Sequence, residues 1–154
     1  MQTQPAYPPS PVDGIVTLTA RRIGKTWTEK PFDELAGGPT LIRSCVINRF
    51  EGGIEGESWE EYLMVCQSNG SGTFVSLERI IGRVNGRTGS FVVQGIGAFE
   101  KGIANGELTI VPHSGTGELT GIRGNGRFTA PGGRTSMVTL NCELQELTPS
   151  QRKP

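Results

Sequence analysis

Runs rich in β-branched, aromatic and aliphatic residues recur along this chain, many alternating with polar residues and most separated by short glycine-containing breaks. Period-two alternation marks a strand with one face covered, because successive side chains point to opposite faces. Residues 15–22, 41–50, 57–66, 73–84, 87–99, 107–112, 116–128 and 134–144 fit this reading, giving eight strands. The third begins Glu-Ser-Trp-Glu-Glu and admits a helix, but only about ten residues precede the next turn, a length that favours a strand. Helical periodicity is otherwise missing, and a short helix near residues 32–36 is the only one expected.

The breaks carry their own information. Asn-Gly occurs four times, at Asn69-Gly70, Asn85-Gly86, Asn105-Gly106 and Asn125-Gly126, and it suits the two positive-φ positions of a type I′ turn. The first three are expected as hairpins. Pro131-Gly132-Gly133 follows the fourth closely and serves better as the turn, which leaves Asn125-Gly126 as a bulge. The stretch after the first strand, with Trp27, Pro31 and Gly37-Gly38, reads as a loop. A meander of this kind closes on itself, so the expected fold is all-β, an eight-stranded antiparallel up-and-down β-barrel. Its interior is either filled by side chains or encloses a small ligand.

Composition narrows the function classes. The 154 residues suffice for one domain, read as 13–147, with proline-containing tails at 1–12 and 148–154 expected to be disordered. Fifteen basic and fifteen acidic residues cancel without a basic stripe, so a nucleic-acid partner is not expected. Cys45, Cys66 and Cys142 are odd in number and lie in apolar runs, which reads as reduced thiols in a cytoplasmic protein. Neither a signal peptide nor a membrane-spanning apolar run is seen. One histidine and scattered cysteines do not make a zinc site, and no cofactor is expected. His113-Ser114 lacks a nucleophile elbow and reads as turn chemistry, and the glycines from Gly115 to Gly126 lie in strand and turn context without a phosphate loop's helix.

Five segments together resemble a known family. Trp27-Thr-Glu-Lys-Pro-Phe-Asp-Glu34, Phe50-Glu-Gly-Gly-Ile-Glu-Gly56, Leu77-Glu-Arg79, Gly86-Arg-Thr-Gly-Ser-Phe-Val-Val-Gln94 and Ser114-Gly-Thr-Gly-Glu-Leu-Thr-Gly121 are similar to the bacterial domain of unknown function 3224 family. That family resembles plant allene oxide cyclase and the dirigent proteins in fold. The resemblance implies an allene oxide cyclase-like barrel with a hydrophobic cavity, often a homo-oligomer. The plant cyclase uses a glutamate and an asparagine of its first strand, and Thr17-Leu-Thr-Ala-Arg-Arg22 has neither, which points away from jasmonate-type cyclisation.

Candidate site residues follow from strand parity. On the fourth strand Phe74, Ser76, Glu78 and Ile80 share one face. Phe74 resembles a cavity-lining phenylalanine of the plant cyclase, and that likeness implies Glu78 points inward. A carboxylate in an apolar barrel has its charged form disfavoured and can serve as general acid or base near neutral pH. The competing reading is a structural ion pair between Glu78 and an arginine such as Arg43 or Arg123. On the fifth strand Phe91, Val93, Gly95, Gly97 and Phe99 form the inward face, its glycines either making room for a ligand or permitting the barrel to coil. Tyr62, Phe74, Ser76 and Phe91, with Arg43 and Cys45 of the second strand, are the candidate substrate-binding residues, and Glu78 the candidate catalytic one.

The expected function is a cofactor-independent isomerase or cyclase acting on a small hydrophobic substrate, such as a natural-product intermediate. The alternative is a non-catalytic binding or carrier protein using the same cavity.

Overall fold

In a computed structural model, which describes residues 14–147 together with Pro149, the chain is all-β with no helix among the described residues. The strands are β1 (Ile15–Asp33), β2 (Thr40–Gly52), β3 (Ile54–Cys66), β4 (Gly72–Val84), β5 (Arg87–Glu100), β6 (Ile103–Ile110), β7 (Thr116–Gly117), β8 (Arg123–Ala130) and β9 (Thr135–Glu143). All pairings are antiparallel, in the order β4-β3-β2-β1-β9-β8-β6-β5, and β4 pairs with β5 to close the ring. The molecule is thus a closed eight-stranded up-and-down barrel, with the two-residue β7 added beside β5 where β6 has ended. Closure leaves no free sheet edge in the ring.

The barrel is filled unevenly. At one end lie the β4–β5 turn, the β2–β3 connection and the segment from Val111 to Ile122, which folds back so that Leu119 and Ile122 are buried. These two pack with Ile54, Ile80, Val84, Phe91, Val93, Ile110 and Leu140 into a solid core. Each such side chain contributes about 1.5–3 kcal/mol of burial. At the other end, between the β1–β2, β3–β4, β5–β6 and β8–β9 connections, the interior is open.

Strand parity was legible, and several boundaries were not. β1 runs on to Asp33, so the expected loop around Trp27 and Pro31 is strand paired with β2, and the expected helix at 32–36 is absent. A register shift between Gly24 and Thr26 marks a bulge, which reverses the inward parity beyond it. Asn85-Gly86 forms the type I′ turn expected, with φ of 51° and 79°. Asn105-Gly106 does not turn: it lies inside β6, and Lys101-Gly102 takes the turn with φ of 54° and 79°. Asn125-Gly126 lies in regular pairing within β8, without a bulge, and residues 116–128 hold β7, a turn and most of β8 instead of one strand. The expected tails at 1–12 and 148–154 lie outside the described residues, Pro149 excepted.

Candidate functional site

The inward positions at the waist of the barrel are polar. Arg22 continues the inward run Leu18, Ala20 of β1; Asn48 follows Val46 on β2; Ser58 and Glu60 precede Tyr62 on β3; Glu78 lies on β4 and Ser136 on β9, and all six polar residues are buried. Arg22 Nη1 donates to Glu78 Oε1 at 2.8 Å and to Glu60 Oε2 at 3.3 Å, while Nε donates to Ser136 Oγ at 3.0 Å. Asn48 Nδ2 donates to Glu60 Oε1 at 3.1 Å, and Ser58 Oγ donates to Glu78 Oε2 at 2.6 Å. Glu60 and Glu78 are cross-strand partners on the same face. Like charges placed so repel, and Arg22 is the cation that holds them.

Above this floor lies a cavity of about 650 Å³, open at the unfilled end. Its wall carries a continuous line of aromatic rings: Trp27 to Tyr62 at 6.0 Å, Tyr62 to Phe74 edge-on at 5.3 Å, and Phe74 to Phe128 at 5.9 Å. The line ends on the cation, with Arg22 Cζ 4.6 Å from the Phe128 centroid. Met64, Cys66, Phe99 and Ala104 complete the apolar wall. Glu29 stands at the mouth, accepting from Trp27 Nε1 at 3.1 Å and Ser44 Oγ at 3.3 Å.

Electrostatics single out Glu60. It lines the cavity at 1% exposure. Burial pushes its carboxyl up to about 7; Arg22 opposes that rise, Glu78 adds to it, and Tyr62 and Asn48 draw it back. For Arg22, burial lowers the pKa, but Glu60 and Glu78 outweigh it and leave the guanidinium more firmly protonated than usual. Burial holds the Tyr62 hydroxyl well above the ordinary tyrosine value. The floor therefore holds one permanent cation, two carboxylates and a proton that leaves near neutrality.

The sequence candidates divide into three groups. Tyr62 and Phe74 line the cavity. Glu78, Ser76 and Phe91 point inward but do not line it: Glu78 is enclosed by Arg22, Ser58 and Asn48, Ser76 sits against Gly95, and Phe91 belongs to the packed end. Arg43 and Cys45 lie on the outward parity of β2, and Arg43 pairs with Glu61 on the barrel exterior at 2.6 Å. They are removed from the cavity, and the partner of Glu78 is Arg22 instead of Arg43 or Arg123. Arg22, Glu60 and Ser136 went unnoticed in the sequence, although the alternations Leu18-Ala20-Arg22 and Ser58-Glu60-Tyr62 carried the signal for the first two.

Comparison with known proteins agrees with the architecture. No match was found among curated proteins. The crystal structure of a protein with unknown function from the DUF3224 family of Shewanella oneidensis MR-1 is similar, with 28% identity and a TM-score of 0.70. The alignment covers 86% of this chain and all of that one. The sequence profile described as "Protein of unknown function (DUF3224)" matches residues 24–141, which include Asn48, Glu60, Glu78 and Ser136. That match spans most of the barrel, and the chain belongs to the DUF3224 family.

Proposed function

We propose that this protein is a cofactor-independent isomerase or cyclase that encloses a small hydrophobic substrate, such as a natural-product intermediate, and moves a proton with Glu60. The observation that carries the reading is a buried carboxyl, pushed up to about 7, lining a cavity with aromatic walls. Such a group is protonated or ionised at neutral pH with little cost either way, which suits general acid–base catalysis. Shape and water exclusion supply the rest. Glu78, fully hydrogen-bonded behind the floor, is a positioning residue: its charge raises the Glu60 pKa. The resemblance to allene oxide cyclase-like barrels supports the same reading. A homo-oligomer would use the outward face where Leu63, Val75 and Ile96 are register neighbours, and sedimentation tests it.

The second reading is a carrier, favoured by the complete engagement of Glu60 with Arg22 and Asn48. Nitrobenzisoxazole separates the two. A base removes its ring C–H proton as the N–O bond breaks, giving a coloured cyano-nitrophenolate, and the proton passes from the carboxyl to solvent. Catalysis should rise with pH through about 7, and Glu60→Gln should lower it by about a hundredfold. Glu78→Gln should keep it with the profile moved to lower pH. A wild-type rate equal to that of Glu60→Gln would leave the carrier reading.

A further inference from the structure

Arg22 has five N–H donors in a fixed planar fork. One, on Nε, goes to Ser136, and the two on Nη1 go to Glu60 and Glu78. Nη2 has no acceptor among the described residues, although Arg22 is only 3% exposed. Ser136 shows the complementary vacancy. Its oxygen accepts from Arg22 Nε, so its own hydroxyl proton is free to be donated, and no acceptor for it stands among the described residues. Both residues line the cavity floor. Buried donors of this kind are almost always satisfied, because an unsatisfied one forfeits its hydration without recompense.

We infer that Arg22 Nη2 and the Ser136 hydroxyl form a two-donor cradle for a carbonyl oxygen, and that the cavity's ligand is a neutral, hydrophobic carbonyl compound. Between ligands, water can serve the two donors; a carbonyl displaces it and reproduces its hydrogen bonds. An acceptor is required, since neither donor is matched by an apolar group. At this cradle a carboxylate or phosphate is disfavoured, because Glu60 and Glu78 already flank the Arg22 guanidinium and a third anion there would meet both. Arg134, the other guanidinium on the cavity lining, donates to the carbonyl oxygen of Lys25. The aromatic line from Trp27 to Phe128 then covers the body of the ligand.

The inference deepens the reading above and rests on its ligand site, not on turnover. With Glu60 beside the same cavity, a carbonyl held by two donors has its α-proton within the reach of a base, and the cradle stabilises the enolate oxygen that forms. The C–H electron pair moves into the carbon–carbon bond, the carbonyl π pair moves to oxygen, and the proton rests on Glu60. When the oxygen pair re-forms the C=O, the proton returns to the α-carbon or, in a β,γ-unsaturated carbonyl whose double bond shifts to α,β, to the γ-carbon. No oxidant, reductant or co-reactant enters.

Benzophenone and geminal diphenylethylene test the cradle without chemistry. They share a shape, one bears C=O where the other bears C=CH₂, and benzophenone has no α-proton to lose. In equilibrium dialysis the ketone should bind about tenfold more tightly than the alkene. Its bound C=O stretch should lie below that in hydrocarbon solvent. Ser136→Ala should shrink both differences and Ser136→Thr, which keeps the hydroxyl, should preserve them. Equal affinities, failure of the ketone to bind, or an unshifted stretch in the wild-type protein would overturn the inference. Failure of the nitrobenzisoxazole reaction alone would remove only the enzyme.

Discussion

Glu60 and Glu78 face each other across β3 and β4, and a single nitrogen, Arg22 Nη1, reaches both carboxylates. Two buried anions cannot share so small a volume without a cation or a proton, and the barrel supplies both. Arg22→Met keeps the bulk of the side chain and removes the charge. It should cost about 3–5 kcal/mol in urea unfolding, the range for stranding one partner of a buried ion pair. Adding Glu78→Gln should restore part of that loss, so the double variant is more stable than the single one. A double variant no better than Arg22→Met would show that the guanidinium acts through packing on Phe128 instead.

Gly95 and Gly97 sit on the same inward face of β5 for different reasons. A Cβ on Gly97 would collide with the backbone oxygen of Asn105 and approach Phe74 Cζ to 2.6 Å, so this glycine permits β5 and β6 to pack where Gly97 faces Gly106. A Cβ on Gly95 meets chiefly the hydroxyl of Ser76, with the nearest backbone atom at 3.8 Å. Gly97→Ala should therefore lose about 3 kcal/mol or more, and Gly95→Ala about 1 kcal/mol as Ser76 turns aside. Thermal unfolding of the two variants side by side checks the order.

The contrast bears on what could be read from sequence. Alternation grouped Phe74 with Glu78 and Phe91 with Val93, because side chains two apart share a face; the aromatic character of the second group and the likeness of Phe74 to a plant cyclase residue turned both groups inward. It did not say how high along the barrel each residue stands, and height decides that Tyr62 and Phe74 meet the cavity while Phe91 meets the packed core. Nor did it reveal the bulge between Gly24 and Thr26, a one-residue event that brings Trp27 and Glu29 to the mouth. Arg22 was hidden for a different reason. An arginine reads as a strand's solvated end, and only the two carboxylates contributed by β3 and β4 make its burial tolerable. Asn105-Gly106 misled because local turn preference yielded to the pairing of Gly97 with Gly106.

The three thiols should behave differently. Cys142 is wholly buried and burial pushes its thiol up to about 11, so it should resist an aromatic disulfide reagent until the barrel unfolds. Cys66 is half-buried on the cavity wall, its thiol raised by burial and by Glu29. It should react in the native protein, faster as pH rises, and benzophenone in the cavity should slow it. Cys45 lies outside and its rate should be indifferent to the ketone. Mass spectrometry of peptides labelled with and without ketone reads all three at once, and protection of Cys45 would place the ligand elsewhere.

Glu60 makes stability depend on pH in a stated direction. Its carboxyl, ordinarily at 4.5, is raised to about 7 by burial in the fold. Between those values the folded chain keeps a proton that the unfolded chain has released, so folding is favoured by protons there and stability falls as pH rises. Below the interval both states are protonated and nothing is lost; above it the full penalty of burying the charge is present. The slope is at most about 1.4 kcal/mol per pH unit and the total roughly 3 kcal/mol. Glu60→Gln has no such proton to lose. Its stability relative to wild type should therefore improve as pH rises from about 4.5 to about 7 and hold level beyond. Urea midpoints of both proteins across this range give the difference directly, with the other carboxylates cancelling. A difference that stays flat would mean that Arg22 keeps Glu60 ionised throughout, and the proton-transfer role assigned to it would fall with that result.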